Sequence, residues 1–443
     1  MRTNKKKAGT GLTTHEGGPA KRITDEQALR RSVMACMLWE DTFYEEGESI
    51  AERIQKLSAV VDAEKVAEIA IDARERFKLR HVPLLLVRAL AVRGGRHPGL
   101  VAKTLARVVQ RPDEMGEFLS IYWKDNKEQA ISAQVKRGLA AAFLKFDQYQ
   151  LAKWNQDSAA VKLRDVMFLV HPKPANPAQA EFFKQLANQE VKAPDTWEVA
   201  LSSGTGKKTA EEKQVVWTRL LDEKRLGALA LLRNLRNMEE AGVSAPKIRE
   251  ALKNANPSRV LPFRFISAAR HAKQFESALE TLMFKCVEGA EKLPGETIIL
   301  VDHSGSMESR ISGKSELLRS EAAAGLAILA REICENVRVF CFSTEVWEIA
   351  PRRGFALRDA IDAEMWGGTE LGKAVTYVNK IPHDRLIVLS DEQTADSVPN
   401  PTAKNAYMIN VAAYQNGVGY GRWTHIDGWS EACLDFIRES ERE

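Results

Sequence analysis

The stretch Thr297–Met307, TIILVDHSGSM, decides how the last third of the chain folds. Ile298, Ile299, Leu300 and Val301 form a short β-branched apolar block followed by glycine-containing turn chemistry, the pattern of a strand buried on both faces. Directly after it, Asp302-x-Ser304-x-Ser306 sets one carboxylate and two hydroxyls on a single turn. An open α/β sheet binds its ligands at the carboxyl ends of its strands, which is where this turn falls. Hard oxygen donors, few in number and low in charge, suit Mg²⁺ or another hard divalent cation that keeps several of its waters.

Two later segments extend the constellation. Trp366–Glu370, WGGTE, is a glycine turn running into a helical pattern, and it offers the Thr369 hydroxyl. Arg385–Asp391, RLIVLSD, is a second buried-strand run, and it ends in a carboxylate. In chain order, D-x-S-x-S, then Thr, then Asp resembles the metal-ion-dependent adhesion site of von Willebrand factor A domains, with Asp302, Ser304, Ser306, Thr369 and Asp391 in the five positions. Taken alone, the first motif also reads as an ordinary β-to-α turn with Asp302 as a helix cap. Its open coordination position would suit a carboxylate from an acidic protein ligand.

Around this motif, apolar runs at 297–301, 337–342, 385–390 and 405–412 alternate with helical stretches at 315–336, 370–380 and 430–440. Such alternation predicts a doubly wound, mainly parallel sheet over 294–443, a Rossmann-like α/β domain with Pro294-Gly295 as the hinge. Upstream the texture differs. Residues 1–22 carry Gly, Thr, Lys and Pro without an apolar period and read as a tail or strap. From Thr24-Asp25-Glu26, a helix start, amphipathic segments of helical period repeat to about residue 290 with short Gly, Pro and Asp breaks. Short loops between amphipathic helices imply antiparallel neighbours, so 23–293 is predicted to be an all-α, HEAT-like array of helical hairpins.

At 443 residues the chain exceeds one ordinary core, and 44% hydrophobic with 28% charged residues marks it as globular. No run approaches the length of a membrane-spanning helix, and the Lys-rich start lacks the apolar core of a secretory signal, so a cytoplasmic protein is expected. Five scattered cysteines without a CxxC argue against disulfide frameworks and zinc knuckles. The net charge of +4 hides an asymmetry: residues 295–443 hold 15 Lys and Arg against 23 Asp and Glu, whereas residues 1–294 hold 49 against 37. The basic excess of the first two-thirds makes a polyanion partner worth testing.

Within it, Gln134–Pro174 is the densest basic stretch with aromatics: Lys136, Arg137, Lys145, Lys153, Trp154, Lys162, Arg164, His171 and Lys173. Lysines and arginines neutralise phosphates, and aromatic faces stack on unpaired bases. His171-Pro172-Lys173-Pro174 closes a helix, which puts His171 and Lys173 at an exposed end. Lys145 and Arg164 also fit the solvated faces of helices, Trp154 fits a core position as well as a stacking one, and His171 fits a cap. Ser203–Thr209, SGTGKKT, lacks the first glycine of a P-loop and a preceding strand, so it reads as a basic loop. Ser304 has no nominated histidine base.

Leu29–Tyr44, Leu79–Arg88, Gln134–Trp154, Lys162–Pro174 and Leu226–Val243, taken in order, resemble the TROVE module of the Ro autoantigen family, with the metal-site domain following as in that family. The resemblance, of the bacterial Ro type, implies a ring of helical repeats beside a von Willebrand A domain. It implies binding of small noncoding Y-like RNA on the outer surface and of single-stranded 3′ ends of misfolded RNA in the central hole. It also implies noncoding RNA quality control with a 3′-exoribonuclease of polynucleotide phosphorylase type, and a histidine in the position of His171 that contacts RNA. A monomeric, non-catalytic RNA-binding protein is the expectation. The alternatives are a metal-site protein-interaction scaffold without RNA binding, and a metal-dependent phosphohydrolase using Asp302 and Asp391.

Overall fold

Helix starts along the chain follow from local capping chemistry. Thr24 accepts from the Gln27 backbone N–H while the Gln27 side chain returns to the Thr24 backbone, opening the helix Asp25–Met34. Asp62 caps Ala63–Glu75 and Ser132 caps Ala133–Leu144, each through side-chain oxygen to backbone N–H bonds. The computed structural model describes residues 11–93, 97–125, 129–156, 158–192, 194–202, 208–258, 260–289, 291–363 and 367–442. By contacts the chain forms two compact units, one of residues 52–226 with 240–243, the other of residues up to 51, 227–239 and 244 onward.

The first unit holds helices and loops, with no strand among its described residues. Helices two apart in sequence touch: Leu100–Val108 packs against both Ala63–Glu75 and Ala133–Leu144, and Ala133–Leu144 packs against Leu163–Val170. In the alternate layer His81–Val92 packs against Asp113–Tyr122. This is the HEAT-like pattern, each hairpin burying its apolar stripe on the next. The backbones come close at Gly116, where an added Cβ would meet the Val161 carbonyl oxygen at 2.2 Å, and at Gly138, where it would meet the Ala102 carbonyl oxygen at 3.0 Å. Gly138, beside the exposed cations Lys136 and Arg137, thus serves helix packing.

A buried ion pair ties three of these helices together. Arg74 donates to the Glu114 carboxylate at 2.5 Å, to the Val108 carbonyl at 3.0 Å and to the Leu79 carbonyl at 3.2 Å. Glu114 accepts in addition from the Gln110 and Arg111 N–H groups. Burial pushes the Glu114 carboxyl up and the Arg74 guanidinium down against their mutual attraction, so each ion depends on the other for solvation.

The second unit contains a six-stranded sheet: β1 (Leu293–Asp302), β2 (Cys334–Phe342), β3 (Val346–Ile349), β4 (Arg385–Ser390), β5 (Asn405–Asn410) and β6 (Thr424–Asp427). The spatial order is β3-β2-β1-β4-β5-β6, parallel throughout except for β3, which pairs antiparallel with β2. The central strands are buried on both faces, and the almost wholly buried helix Arg319–Glu332 covers β1, β2 and β4. The expected α/β class stands, with two strands added: β3 and β6 are four residues each and partly exposed at the edges, too short for a periodic signal. The helix expected to run to 336 stops at Glu332, and β2 begins at Cys334. Pro294 and Gly295 lie inside β1, at a shift of its register with β2. Residues 1–10 of the expected tail lie outside the described residues. Its remainder bridges Thr13 to Pro19 and binds the sheet unit through Lys21 N–H to the Gly417 carbonyl at 2.9 Å. All five cysteines are unpaired, and among the described residues no helix is long and apolar enough to cross a membrane.

Because Arg74 both neutralises the buried Glu114 and ends two neighbouring turns, Arg74→Ala is expected to cost about 3–5 kcal/mol of stability. Denaturant unfolding of the two proteins checks this; midpoints that coincide would show the pair to be dispensable.

Candidate metal centre and nucleic-acid interface

Strand register delivers the two site carboxylates to one edge. β1 and β4 pair in parallel with Val301 opposite Leu389, so Asp302 at the end of β1 and Asp391 just past the end of β4 emerge together. The Ser390 hydroxyl between them donates to Asp302 Oδ2 at 2.5 Å, and the Ser304 N–H donates to Asp302 Oδ1 at 2.9 Å. The Ser304 and Ser306 hydroxyls lie 3.1 Å apart, and Ser306 Oγ donates to Asp391 Oδ2 at 2.7 Å. Thr369 arrives by backbone: Gly305 N–H donates to the Gly367 carbonyl at 2.9 Å, and the buried Thr369 carbonyl accepts from Ala395 N–H and from the Thr394 hydroxyl. Trp366 lies outside the described residues.

Two side chains that the motif does not predict complete the site. The Tyr44 hydroxyl donates to Asp391 Oδ2, and Arg319 Nη1 reaches the same oxygen at 3.4 Å. The Arg319 guanidinium lies over the Tyr44 ring, 4.4 Å from its centroid, and His15, Phe43 and Tyr414 gather round that ring at 4.9–5.4 Å. Tyr44 and Asp391 are 347 positions apart; no local spacing could have found the pair. Arg319 opens the helix that covers the sheet, a position a sequence reader assigns to packing.

Burial, then the neighbouring Asp391 charge, pushes the Asp302 carboxyl up to about 7. Burial and Asp391 likewise push the Tyr44 phenol up, which keeps it a proton donor. The donor chemistry fits a hard divalent cation, which would relieve two buried carboxylates crowded at one edge. Among the described residues no group of three or more His, Cys, Asp or Glu could hold a metal, so an ion here would rest on two carboxylates, hydroxyls and water.

In the helical unit the predicted basic residues divide. Lys136 and Arg137 are exposed on Ala133–Leu144, and His171 and Lys173 are exposed past the end of Leu163–Val170, a helix that packs on it. His171 takes φ +48° and ψ +59° and its N–H donates to the Met167 carbonyl at 2.9 Å, so its backbone ends the helix and its side chain faces solvent. Trp154 is half-buried and already stacked: the Arg111 guanidinium lies 3.6 Å from its ring centroid, and Lys153 Nζ lies 5.6 Å away. Lys162 stands at the start of Leu163–Val170, half-buried. Arg164, also half-buried, lies 5.4 Å over Phe168. Lys145 is on the surface but its ammonium is occupied, donating to the Ala106 and Val109 carbonyls at the end of Leu100–Val108, and partial burial pushes its pKa down. Phe168 and Tyr149, 49% and 51% exposed, are the open aromatic faces in this stretch; apolar periodicity hides them, since it reads every aromatic as core. Residues 203–207 of the SGTGKKT loop lie outside the described residues.

Residues 188–294 match the family model of the TROVE domain. The crystal structure of Deinococcus radiodurans RO (RSR) protein has the same fold, with a TM-score of 0.60 at 16% sequence identity, covering 94% of this chain and 100% of that one. No curated protein matches the chain. The matched segment lies within the helical part of the chain, and the structural likeness is one of fold.

The raised Asp302 carboxyl sets a pH dependence. A carboxyl lifted from 3.8 to about 7 contributes stability in full at pH below its ordinary value, and that contribution is lost as pH rises through 7. Protonation also competes with a cation. Added Mg²⁺ is therefore expected to raise the melting temperature more at about pH 8 than at about pH 6, and Asp302→Asn to remove the difference. Thermal unfolding with chelator or Mg²⁺ at both pH values tests it; equal Mg²⁺ shifts at the two would exclude Asp302 as a ligand.

Proposed function

We infer, for a chain that carries a TROVE segment on the fold of a bacterial Ro protein, that it is a non-catalytic RNA-binding protein. The observation that carries the reading is the set of exposed basic side chains on two helices that pack together, Lys136 and Arg137 on one and His171 and Lys173 at the end of the other, which also carries the half-exposed ring of Phe168. Cations at this spacing neutralise a phosphate backbone without reading sequence, and an open aromatic face or imidazole stacks on an unpaired base. Phosphate attraction of this kind suits a small structured, Y-like RNA held on the outside of the helical array.

The remaining parts of the proposal follow from the family resemblance. Single-stranded 3′ ends of misfolded RNA would enter the central hole of a helical ring, and a 3′-exoribonuclease bridged by the RNA would act on what is held. The acidic edge of the sheet would hold Mg²⁺ through Asp302, Ser304, Ser306, Thr369 and Asp391. The site carboxylates are bonded by Tyr44, Arg319 and serines, which leaves neither of them free as a general base and weighs against hydrolysis.

His171→Ser is expected to weaken binding of a structured RNA about 3–10-fold with no change in melting temperature, because the backbone already ends the helix and the lost group is solvent-facing. Gel shift at two salt concentrations checks the reading, with wild-type affinity expected to fall steeply as salt rises. A wild-type chain that retains no RNA at low salt would leave the interaction-scaffold alternative standing.

A further inference from the structure

The segment Leu226–Val243 has no part in either site so far described, yet one of its helices walls a basic cleft. A cavity of about 310 Å³ lies between the helices Ala228–Glu240 and Phe263–His271, and its polar wall is Arg233, Arg236, Arg264 and His271 against a single carboxylate, Glu316. Cations on these helices elsewhere are spent: Arg270, on the same helix as Arg264, is ion-paired to Glu321. Arg264 and Arg233 have no hydrogen bond or ion pair among the described residues. Arg264 is half-buried, laid against Phe263 at 5.2 Å, and burial followed by the Arg233 charge pushes its pKa down.

Two guanidinium groups facing one cleft repel each other, and the half-buried Arg264 is only partly hydrated. An anion between them offsets the repulsion and the desolvation of Arg264, and the planar fork of arginine matches the paired oxygens of a phosphate. Leu229 and Leu232 supply an apolar wall beside the charges, and the cleft is large enough for a sugar or base next to the phosphate. We propose that this cleft is a phosphate-binding site in which Arg264 and Arg233 clamp a phosphoryl oxygen pair of a single-stranded nucleotide chain. The choice of a nucleic-acid strand rests on the proposed RNA-binding function; the phosphate site itself does not.

The test uses the full chain, wild type and the variants Arg264→Gln, Arg233→Gln and Glu316→Gln, each first checked for an unchanged melting temperature. Fluorescence anisotropy of a labelled oligouridylate of about ten nucleotides is read across a salt series. Arg264→Gln and Arg233→Gln are expected to weaken binding several-fold and to make the log–log salt slope shallower by about 0.7 for each phosphate that is no longer neutralised. Glu316→Gln removes the opposing charge and is expected to tighten binding, a gain that a misfolded variant would not give. Adenosine monophosphate and inorganic phosphate form the second arm. Failure of either to compete assigns the site to a phosphodiester strand, and competition that Arg264→Gln abolishes assigns it to a free phosphomonoester. If the arginine variants bind strand and phosphate as the wild type does, with unchanged slope, the site is overturned. A wild-type chain that binds phosphate here through Arg264 but binds no RNA overturns the RNA reading alone.

Discussion

A single buried guanidinium makes the N-terminal helix part of the sheet. Arg31, fully buried, donates to Glu392 at 2.9 Å and to the Tyr414 and Asn416 carbonyls at 2.6 and 2.8 Å, with His425 Nε2 3.1 Å away. The cluster is balanced only as a whole: against the effect of burial, Arg31 and His425 hold the Glu392 carboxyl down at about 2, and Asp427 with Glu392 holds the His425 imidazole up at about 9. Removing any member would leave the remaining buried charges unequal, which is the costly form of a buried ion cluster. The turn that follows β4 is thereby fixed from outside the sheet.

That turn is shared. Asp391 faces the candidate metal edge, Glu392 faces Arg31, Gln393 Oε1 accepts from His15 N–H at 2.8 Å, and the Thr394 carbonyl accepts from Thr14 Oγ1 at 2.6 Å. Four successive residues therefore receive three points of attachment from the first 31 residues and present one carboxylate to the site. Tyr44 adds a fourth attachment at Asp391 itself. The segment before residue 51 groups with the sheet for this reason, although its helical texture is indistinguishable in sequence from that of the array that follows.

This is also where reading the sequence stops. The strands β1, β2, β4 and β5 are legible because burial on both faces makes them continuous apolar runs, and the site serines and aspartates are legible because their spacing is local. The long helices are legible by period and by their caps. Arg31, Tyr44 and Arg319 are not, because an arginine on an amphipathic helix reads as a solvated face and a tyrosine after a polar turn reads as surface. Each acquires its role from a partner more than seventy positions away. In the helical unit the same blindness runs the other way: Lys145 reads as a free cation and is consumed by carbonyls, whereas Phe168 reads as core and is open.

The crowding at Asp391 has a thermodynamic consequence. Its Oδ2 accepts from Tyr44, from Ser306 and from Arg319, so a cation approaching that oxygen competes with a phenol, a hydroxyl and a guanidinium already in place. Arg319 supplies part of the positive charge an ion would bring, and a compact divalent charge displaces it only by returning the guanidinium to a less favourable setting. A cation at this edge would thus bind more weakly than the bare donor set would give. By linkage, whatever loosens Tyr44 from Asp391 would strengthen such binding, and an ion would in turn weaken the hold of Tyr44 on the site. With an ion bound there, the N-terminal segment and this edge of the sheet would be two sides of one equilibrium, set by a shared carboxylate oxygen.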